Sequence, residues 1–370
     1  MSMDFLDDFD KELEEMEGVG TSSAPPRYWY TTSNYALNRI ISGSFYKGIP
    51  QGRVTNLAGP AGAGKSFVAA NIAREAQHAG AFVYVVDTEN ALDDEFMRKI
   101  GVNTDKENYR YAGVTTINQA IGAISTFLKK YKQAYKGDLA GAPQILIILD
   151  SMDMLMTDTE LEHYDEGIQK GDQGQKNKQL KAMLKTFIQD VKPLNVAMIV
   201  TSQVYRNQDL RNGEGLWIIS DAVKYSASQI VLLTKTKLKE KEGVKDVVTG
   251  INMRCEGVKT RFTKPFQHVY IEVPYDVGMD PYSGLKEATL ELGVLEKHGS
   301  WYAVTGETEK WYWDKEYKNH VEKLLIAAEA KTDAFLRSRT AEELEDDGDE
   351  GETKEETAIR RKAKYKAKRK

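Results

Sequence analysis

Cysteine is almost missing from the sequence: the 370-residue chain contains one, Cys255, so no disulfide bond can form within it. Long apolar runs are missing too, since QILIILD and NVAMIVT are far shorter than the roughly 20 residues that a membrane-spanning helix needs. The first residues are acidic and include neither the basic start nor the apolar stretch of a secretion signal. These absences predict a protein of a reducing, cytoplasmic compartment with no membrane partner.

An excess of positive charge and an internal repeat are also missing. The formal net charge of −5 argues against a uniformly basic coat for nucleic acid, although it leaves basic loops possible. No repeat of the length that solenoids or propellers use is visible in the sequence. A chain of this length with 41% hydrophobic residues can instead fill one large core and a smaller appended unit.

The clearest motif is GPAGAGKS, which follows the apolar stretch RVTNLA and precedes FVAANIAREAQHAG, a segment with a helical pattern. It fits G-x-x-x-x-G-K-[ST] at every fixed position and predicts a phosphate-binding loop. Glycines let the main-chain N–H groups turn towards an anion, Lys65 reaches the β- and γ-phosphates, and Ser66 binds Mg²⁺. The predicted nucleotide-binding residues of the loop are Gly59, Pro60, Ala61, Gly62, Ala63, Gly64, Lys65 and Ser66.

Two further predicted strands end in carboxylates. Asp87 and Glu89 follow AFVYVV, at the end of a strand where open α/β sheets bind their ligands. A carboxylate there can orient a water molecule in line with the γ-phosphate, and Glu89 is the candidate, with a solvated acid at a strand end as the alternative. Asp150 ends QILIILD and is predicted to hold Mg²⁺ through water.

The apolar strands alternate with helical segments from residue 54 to about residue 273. This alternation predicts an α/β fold with a mostly parallel central sheet and helices on both faces. The predicted strands are RVTNLA, AFVYVVD, QILIILD, NVAMIVTSQ and SQIVLLTK.

Taken together, these segments resemble the RecA-type strand-exchange recombinases over residues 35 to 302, and most closely those of large tailed phages. The resemblance rests on LNRIISGSFYKGIPQGRVTNLAGPAGAGKS, VDTENALD, LDS, TSQ, GVKTRFTKPF and GMDPYSGLKEATLELGVL, in the order that the family has them. It implies a RecA-type P-loop ATPase core with two DNA-binding loops over 27–275 and a small C-terminal subdomain over 276–330. Composition alone predicts the two ends: the Gly/Ser/Pro-rich GVGTSSAPP indicates an acidic segment and linker over 1–26, and blocks of opposite charge indicate a charged, disordered tail over 331–370.

The resemblance also implies roles for single residues, with ATP and Mg²⁺ as cofactors. Glu89 matches the catalytic glutamate of the family, beside Lys65 of the loop. Phe96 matches an aromatic residue that stacks on adenine, with a helix-core phenylalanine as the alternative, and Asp93 matches a residue that contacts the adenine edge. Gln203 matches a residue that senses the γ-phosphate and relays its presence to the second DNA-binding loop.

Two polar, glycine-bearing segments match the DNA-binding loops of the family. The first, YDEGIQKGDQGQKNKQ, contains Lys170, Lys176 and Lys178; the second, VYRNQDLRNGEGLWIIS, contains Arg206, Arg211 and Trp217. Cations, flexible glycines and an apolar wedge can bind phosphates and separate stacked bases without reading sequence. From composition alone, ordinary surface connections are an equal alternative.

The segment GVKTRFTKPF matches a place where two cations of the family reach the ATP of the neighbouring subunit. Here these cations are Lys259 and Arg261, which could otherwise be solvated strand residues. A protein that completes the site of its next copy must assemble head to tail, and a head-to-tail contact that does not close forms a helical filament.

Both termini depart from the family pattern. Residues 342–356 are acidic, and the terminal RRKAKYKAKRK is basic, so this last segment could bind DNA or pair with the acidic run. Near the start, Phe5, Leu6, Phe9, Leu13 and Met16 have nearly helical spacing, which suggests docking on a neighbour or another protein.

The sequence therefore predicts a DNA-dependent ATPase that forms helical filaments on single-stranded DNA and catalyses homologous pairing and strand exchange with double-stranded DNA. Its predicted partners are a recombination mediator and a single-strand-binding protein, in the host cytoplasm if a phage encodes it. Two alternatives stay open, a hexameric RecA-fold helicase and a non-catalytic recombination mediator. The intact Lys65, Ser66, Glu89 and Asp150 argue against the mediator, and the lack of a separate N-terminal helicase domain argues against the helicase.

Overall fold

The structure, a computed structural model, describes residues 4–16, 25–139, 141–168, 174–206, 217–242 and 245–332. Its helices are α1 (Asp4–Glu15), α2 (Tyr35–Ser42), α3 (Lys65–His78), α4 (Asp94–Ile100), α5 (Ile117–Ala134), α6 (Asp158–Asp165), α7 (Gln175–Val191), α8 (Asp221–Ser226), α9 (Leu285–Glu291) and α10 (Trp313–Ala330), with a 3₁₀ turn at Met152–Met154. Its strands are β1 (Trp29–Tyr30), β2 (Ile49–Pro50), β3 (Val54–Ala58), β4 (Phe82–Asp87), β5 (Tyr109–Gly113), β6 (Ile145–Asp150), β7 (Val196–Ser202), β8 (Val204–Arg206), β9 (Trp217–Ile219), β10 (Gln229–Glu242), β11 (Lys245–Lys259), β12 (His268–Pro274), β13 (Leu295–His298) and β14 (Trp301–Val304).

The centre of the fold is an eight-stranded sheet with the order β12-β11-β10-β3-β7-β6-β4-β5. The strands from β10 to β5 in this order are parallel to one another, and β11 and β12 add an antiparallel edge. The predicted α/β fold with a mostly parallel sheet is confirmed.

The central strands form because their residues are apolar without alternation and are covered on both faces. Every residue of β3, β6 and β7 is buried, as expected of parallel strands between two layers of helices. One face packs against α3, with Val68 and Ile72 in its core. The other packs against α5 and α7, with Phe187 and Leu128 in its core. Helices therefore cover both faces of the sheet.

A third core lies in the C-terminal part of the described chain. It joins α9, β13, β14 and α10 through Leu285, Trp311 and Leu324. Phe45, from the segment before the phosphate loop, packs in the same core, and its main-chain N–H donates to Glu329 at 2.8 Å. The boundaries predicted for a C-terminal subdomain stay a prediction.

The ends of the chain are described only in part. The predicted amphipathic segment forms α1, in which Leu6 and Phe9 are exposed. The predicted linker lies largely outside the described residues, and the charged tail lies outside them from residue 333. Among the described helices, no candidate for a membrane span was found.

Candidate nucleotide and DNA site

Four parallel strands end side by side at one edge of the sheet. The register pairs Ala58 at the end of β3 with Ser202 of β7, and Asp87 at the end of β4 with Asp150 of β6. Because β7 also pairs with β6, the segments that follow these strands meet at this carboxyl edge. The phosphate loop, Glu89, Asp150 and Gln203 thus belong to one site, at the place where open α/β sheets bind ligands.

The phosphate loop turns tightly between β3 and α3. The N–H of Gly59 donates to the carbonyl of Ser202 at 3.1 Å, and a Cβ at Gly59 would lie 2.5 Å from the carbonyl oxygen of Leu233. Gly64 caps α3 with a φ of +98°, in the left-handed region that favours glycine. The loop therefore opens at the N-terminus of a 14-residue helix, a good position for an anion.

Lys65 is buried inside the loop. Its Nζ donates to the carbonyl oxygens of Gly59 at 2.9 Å and Pro60 at 3.2 Å. Burial lowers the pKa of Lys65, and the carboxylates of Asp150 and Glu89 offset part of that effect. The ammonium group is thus desolvated among neutral carbonyls, where a phosphate would give it an anionic partner.

The predicted metal site contains Asp150 and Ser66. Thr201 donates its hydroxyl to Oδ1 of Asp150, whereas Oδ2 is buried and has no well-formed hydrogen bond from the described residues. Burial raises the pKa of Asp150, and the nearby hydroxyls of Ser66 and Thr201 offset part of the rise. An unpartnered buried carboxylate oxygen beside a hydroxyl fits Mg²⁺, a hard cation that prefers oxygen ligands and keeps several waters.

A cluster of three or more metal-binding side chains is not found among the described residues.

Glu89 is held in a fixed turn after β4. Asp87 accepts hydrogen bonds from the main-chain N–H groups of Glu89 and Leu92, both at 2.9 Å. Ser151 then donates its hydroxyl to Oε1 of Glu89 at 2.6 Å. The Glu89 side chain is exposed, so its carboxylate is both positioned by Ser151 and open to solvent, as a group that orients water must be.

The two predicted adenine contacts lie at the start of α4. Asp93 is the N-cap of this helix, and its Oδ1 accepts from the N–H of Phe96 at 2.8 Å. Phe96 is half-buried and packs against the core that contains α3. Each residue thus has a structural role, and its contact with adenine stays a prediction.

Gln203 follows β7 and is half-buried at the same edge. Its main-chain N–H donates to Oδ2 of Asp153 at 2.6 Å. Asp153 lies in the 3₁₀ turn after β6. The pairing of β6 with β7 therefore brings Asp153 to Gln203, where the second loop begins.

The predicted DNA-binding residues occupy different kinds of structure. Lys176 and Lys178 lie in the first turn of α7 and not in a loop, because the helix already begins at Gln175. Trp217 is likewise in a strand, β9, and its half-buried side chain packs against the second core. Its role as an apolar wedge stays a prediction. Arg206 is exposed at the end of β8. Lys170 and Arg211 lie outside the described residues.

Lys259 and Arg261 lie away from the phosphate loop of their own chain. Lys259 ends β11, which runs antiparallel to β10, and its Nζ donates to the carbonyl of Lys224 at 2.6 Å. Arg261 is exposed and close enough to Arg53 to lower the pKa of Arg53, which is first lowered by burial. Arg53 precedes β3, whereas the phosphate loop follows it, so the two cations lie towards the opposite edge of the sheet.

A model described as the RecA N-terminal domain matches residues 28–280. The chain belongs to the RecA family. It is 27% identical to Protein RecA of Corynebacterium jeikeium over 300 residues, which cover 78% of this chain and 72% of the relative. It is 29% identical to Protein RecA of Acidothermus cellulolyticus over 269 residues, 70% of each chain. It is 28% identical to Protein RecA of Thermus aquaticus over 265 residues, 69% of this chain and 70% of the relative.

Membership in the RecA family confirms the wider resemblance, and the closer one to phage recombinases stays a prediction. The sequence reasoning missed Ser151, Asp153 and Thr201, which hold Glu89, Gln203 and Asp150. Each is adjacent in sequence to a predicted site residue or within three positions of one. The polar character of these residues near the ends of apolar strands could have indicated a role in the site. Their contacts could not be predicted, because they depend on the register of the strands.

Proposed function

We propose that this RecA-family protein is a DNA-dependent ATPase that assembles head to tail on single-stranded DNA and catalyses homologous pairing and strand exchange. The observation that supports this best is the meeting of Lys65, Glu89, Asp150 and Gln203 at one edge of the sheet. Membership in a family of DNA-dependent ATPases supports the coupling of that site to DNA. Gln203, at the start of the second proposed DNA loop, and Lys176, in the helix after the first, both contact Asp153 at this edge.

In the proposed reaction, water attacks the γ-phosphorus of ATP and the bond to the β–γ bridging oxygen breaks, which gives ADP and phosphate. Glu89 orients the water and accepts its proton, while Ser151 holds the carboxylate in place. Lys65 exchanges its carbonyl partners for the β- and γ-phosphates and stabilises the charge that develops there. Ser66 and Asp150 would hold Mg²⁺, which when bound neutralises charge on the phosphates.

Assembly follows from the position of Lys259 and Arg261. Because these cations lie towards the edge opposite their own phosphate loop, they are well placed to reach the phosphate loop of another copy. Each copy then offers its phosphate loop to one neighbour and its two cations to the other. Such a heterologous contact extends into a filament unless its rotation closes a ring. A recombination mediator and a single-strand-binding protein are further proposed partners.

Imaging tests the proposed assembly against the helicase alternative. With single-stranded DNA and a slowly hydrolysed ATP analogue, negative-stain microscopy should show open helical filaments along the DNA, because a filament can extend one copy at a time. Incubation with homologous duplex should then give joint molecules in a gel assay. Closed rings of fixed size without joint molecules would instead support the helicase, and filaments without ATP turnover would support the mediator.

The proposed role of the second loop predicts a change in salt dependence. Replacing Arg206 and Arg211 together with Ala should weaken binding to single-stranded DNA of any sequence, because phosphate contacts do not read bases. Each lost contact should make the negative slope of log K against log salt concentration shallower by about 0.7. Fluorescence anisotropy over a salt series measures the slope, with the exposed Lys136 changed to Ala as a control. An unchanged slope would assign DNA binding elsewhere, first to the basic C-terminal tail.

A further inference from the structure

Asp153 has contacts in the site that the proposed mechanism does not use. It lies in the 3₁₀ turn Met152–Met154, directly after the strand that ends in Asp150. Its side chain is half-buried at the carboxyl edge of the sheet, beside the ends of β6 and β7. Burying a carboxylate without hydrogen-bond or charge partners costs free energy, so the partners of Asp153 indicate its role.

Two links join Asp153 to the two proposed DNA loops. Its Oδ2 accepts from the main-chain N–H of Gln203 at 2.6 Å, where the second loop begins. Its main-chain carbonyl accepts from Nζ of Lys176 at 2.8 Å, in the first turn of the helix that follows the first loop. One residue thus touches the end of one loop and the start of the other.

The charges around Asp153 connect it to the nucleotide as well. Burial raises the pKa of Asp153, and the Gln203 N–H, Lys176 and Lys65 offset part of that rise. Gln203 also directly follows Ser202, whose main-chain carbonyl accepts from the N–H of Gly59 in the phosphate loop at 3.1 Å, so the hydrogen bond of Asp153 lies one residue from a contact with that loop. A phosphate that pairs with Lys65 would change the electrostatic balance at Asp153 and at both of its links.

We infer that Asp153 is a positioning residue that joins both DNA loops to the nucleotide site, through the main-chain N–H of Gln203 on one side and Lys176 on the other. The inference rests on the proposed function, because it explains how ATP in the nucleotide site would make the protein bind DNA more tightly. Asp153 orients the start of the second loop and holds the end of the first, so the two loops respond to ATP together.

The test measures how much ATP tightens DNA binding. Fluorescence anisotropy gives the affinity for single-stranded oligonucleotide with and without a slowly hydrolysed ATP analogue, and the ratio of the two is the coupling. Asp153→Ala should lower this ratio by about tenfold, within the usual range for coupling between sites, while a fluorescent ATP analogue binds with wild-type affinity. Asp153→Asn should recover most of the ratio, because its carboxamide oxygen can accept from the Gln203 N–H.

Two further variants complete the design. Lys176→Met removes the link to the first loop and should also lower the ratio. Asp105→Ala removes the same charge from an exposed position between α4 and β5 and should leave the ratio at the wild-type value. Thermal melting checks that each variant folds, and if Asp153→Ala does not, Asp153→Val replaces it, because its side chain has no hydrogen-bond acceptor.

The possible results distinguish failure of the inference from failure of the proposed function. If the wild-type protein shows no tightening with the analogue, the proposed function is wrong and the inference with it. If the wild type shows tightening and Asp153→Ala retains it, the inference alone is wrong. If Asp153→Asn is as low as Asp153→Ala, the hydrogen bond to Gln203 does not provide the link.

Discussion

Glu89→Gln is expected to bind ATP and single-stranded DNA as the wild type does, but to hydrolyse ATP about 10²- to 10⁴-fold more slowly, the usual contribution of a positioned general base. The amide has the shape of the carboxylate and can still accept from the Ser151 hydroxyl, but it cannot take a proton from water. Steady-state ATPase assays with saturating DNA measure the loss.

Two companion variants make this result specific. Lys65→Ala should weaken ATP binding itself, because it removes the ammonium group that would hold the phosphates. Glu107→Gln changes an exposed glutamate and should turn over at the wild-type rate. Nearly normal turnover in Glu89→Gln would reject the assigned base.

The second large effect is expected from Lys259→Ala/Arg261→Ala. Since both cations lie towards the edge opposite their own phosphate loop, this variant should bind ATP normally yet lose about 10³- to 10⁵-fold in turnover, the contribution of an arginine finger. Lys297→Ala, an exposed cation in β13, is the control.

Mixing tests whether the two cations act on a neighbour. An interface between the intact phosphate loop of Lys259→Ala/Arg261→Ala and the intact cations of Lys65→Ala is one complete site built from two defective chains. Some DNA-dependent ATPase should therefore return on mixing, at a level set by how often the two variants alternate. Co-sedimentation on DNA must first show that they co-assemble, and if they do and no activity returns at any ratio, the two cations do not act in trans.

The strands that could be predicted from the sequence are those that are apolar throughout. The buried strands β3, β6 and β7 read as uninterrupted hydrophobic runs. The edge strand β5, with the sequence YRYAG, was missed because most of its residues face solvent. At the other edge, β12 was missed although it alternates exposed and buried residues, the usual pattern of a strand with one wet face.

The site residues could be predicted where they share one short motif or follow a recognisable strand. Lys65 and Ser66 lie in one motif, and Glu89 and Asp150 directly follow apolar strands. Asp153 could not be found in this way, because its contact with Gln203 joins positions 50 residues apart and exists only through the pairing of β6 with β7. Lys176 and Trp217 were assigned to loops because polar, glycine-bearing sequence does not show where a helix or strand begins.

The position of Lys259 and Arg261, at the sheet edge away from the phosphate loop, determines how many complete ATPase sites the proposed filament contains. A row of subunits that complete one another has one fewer complete site than it has members, and a lone copy has none. Activity per subunit should then rise with the length of the row and approach its limit only when ends are rare. An oligonucleotide that accommodates one subunit would support binding without turnover, so the one end of the filament whose phosphate loop has no neighbour would be a place where ATP persists.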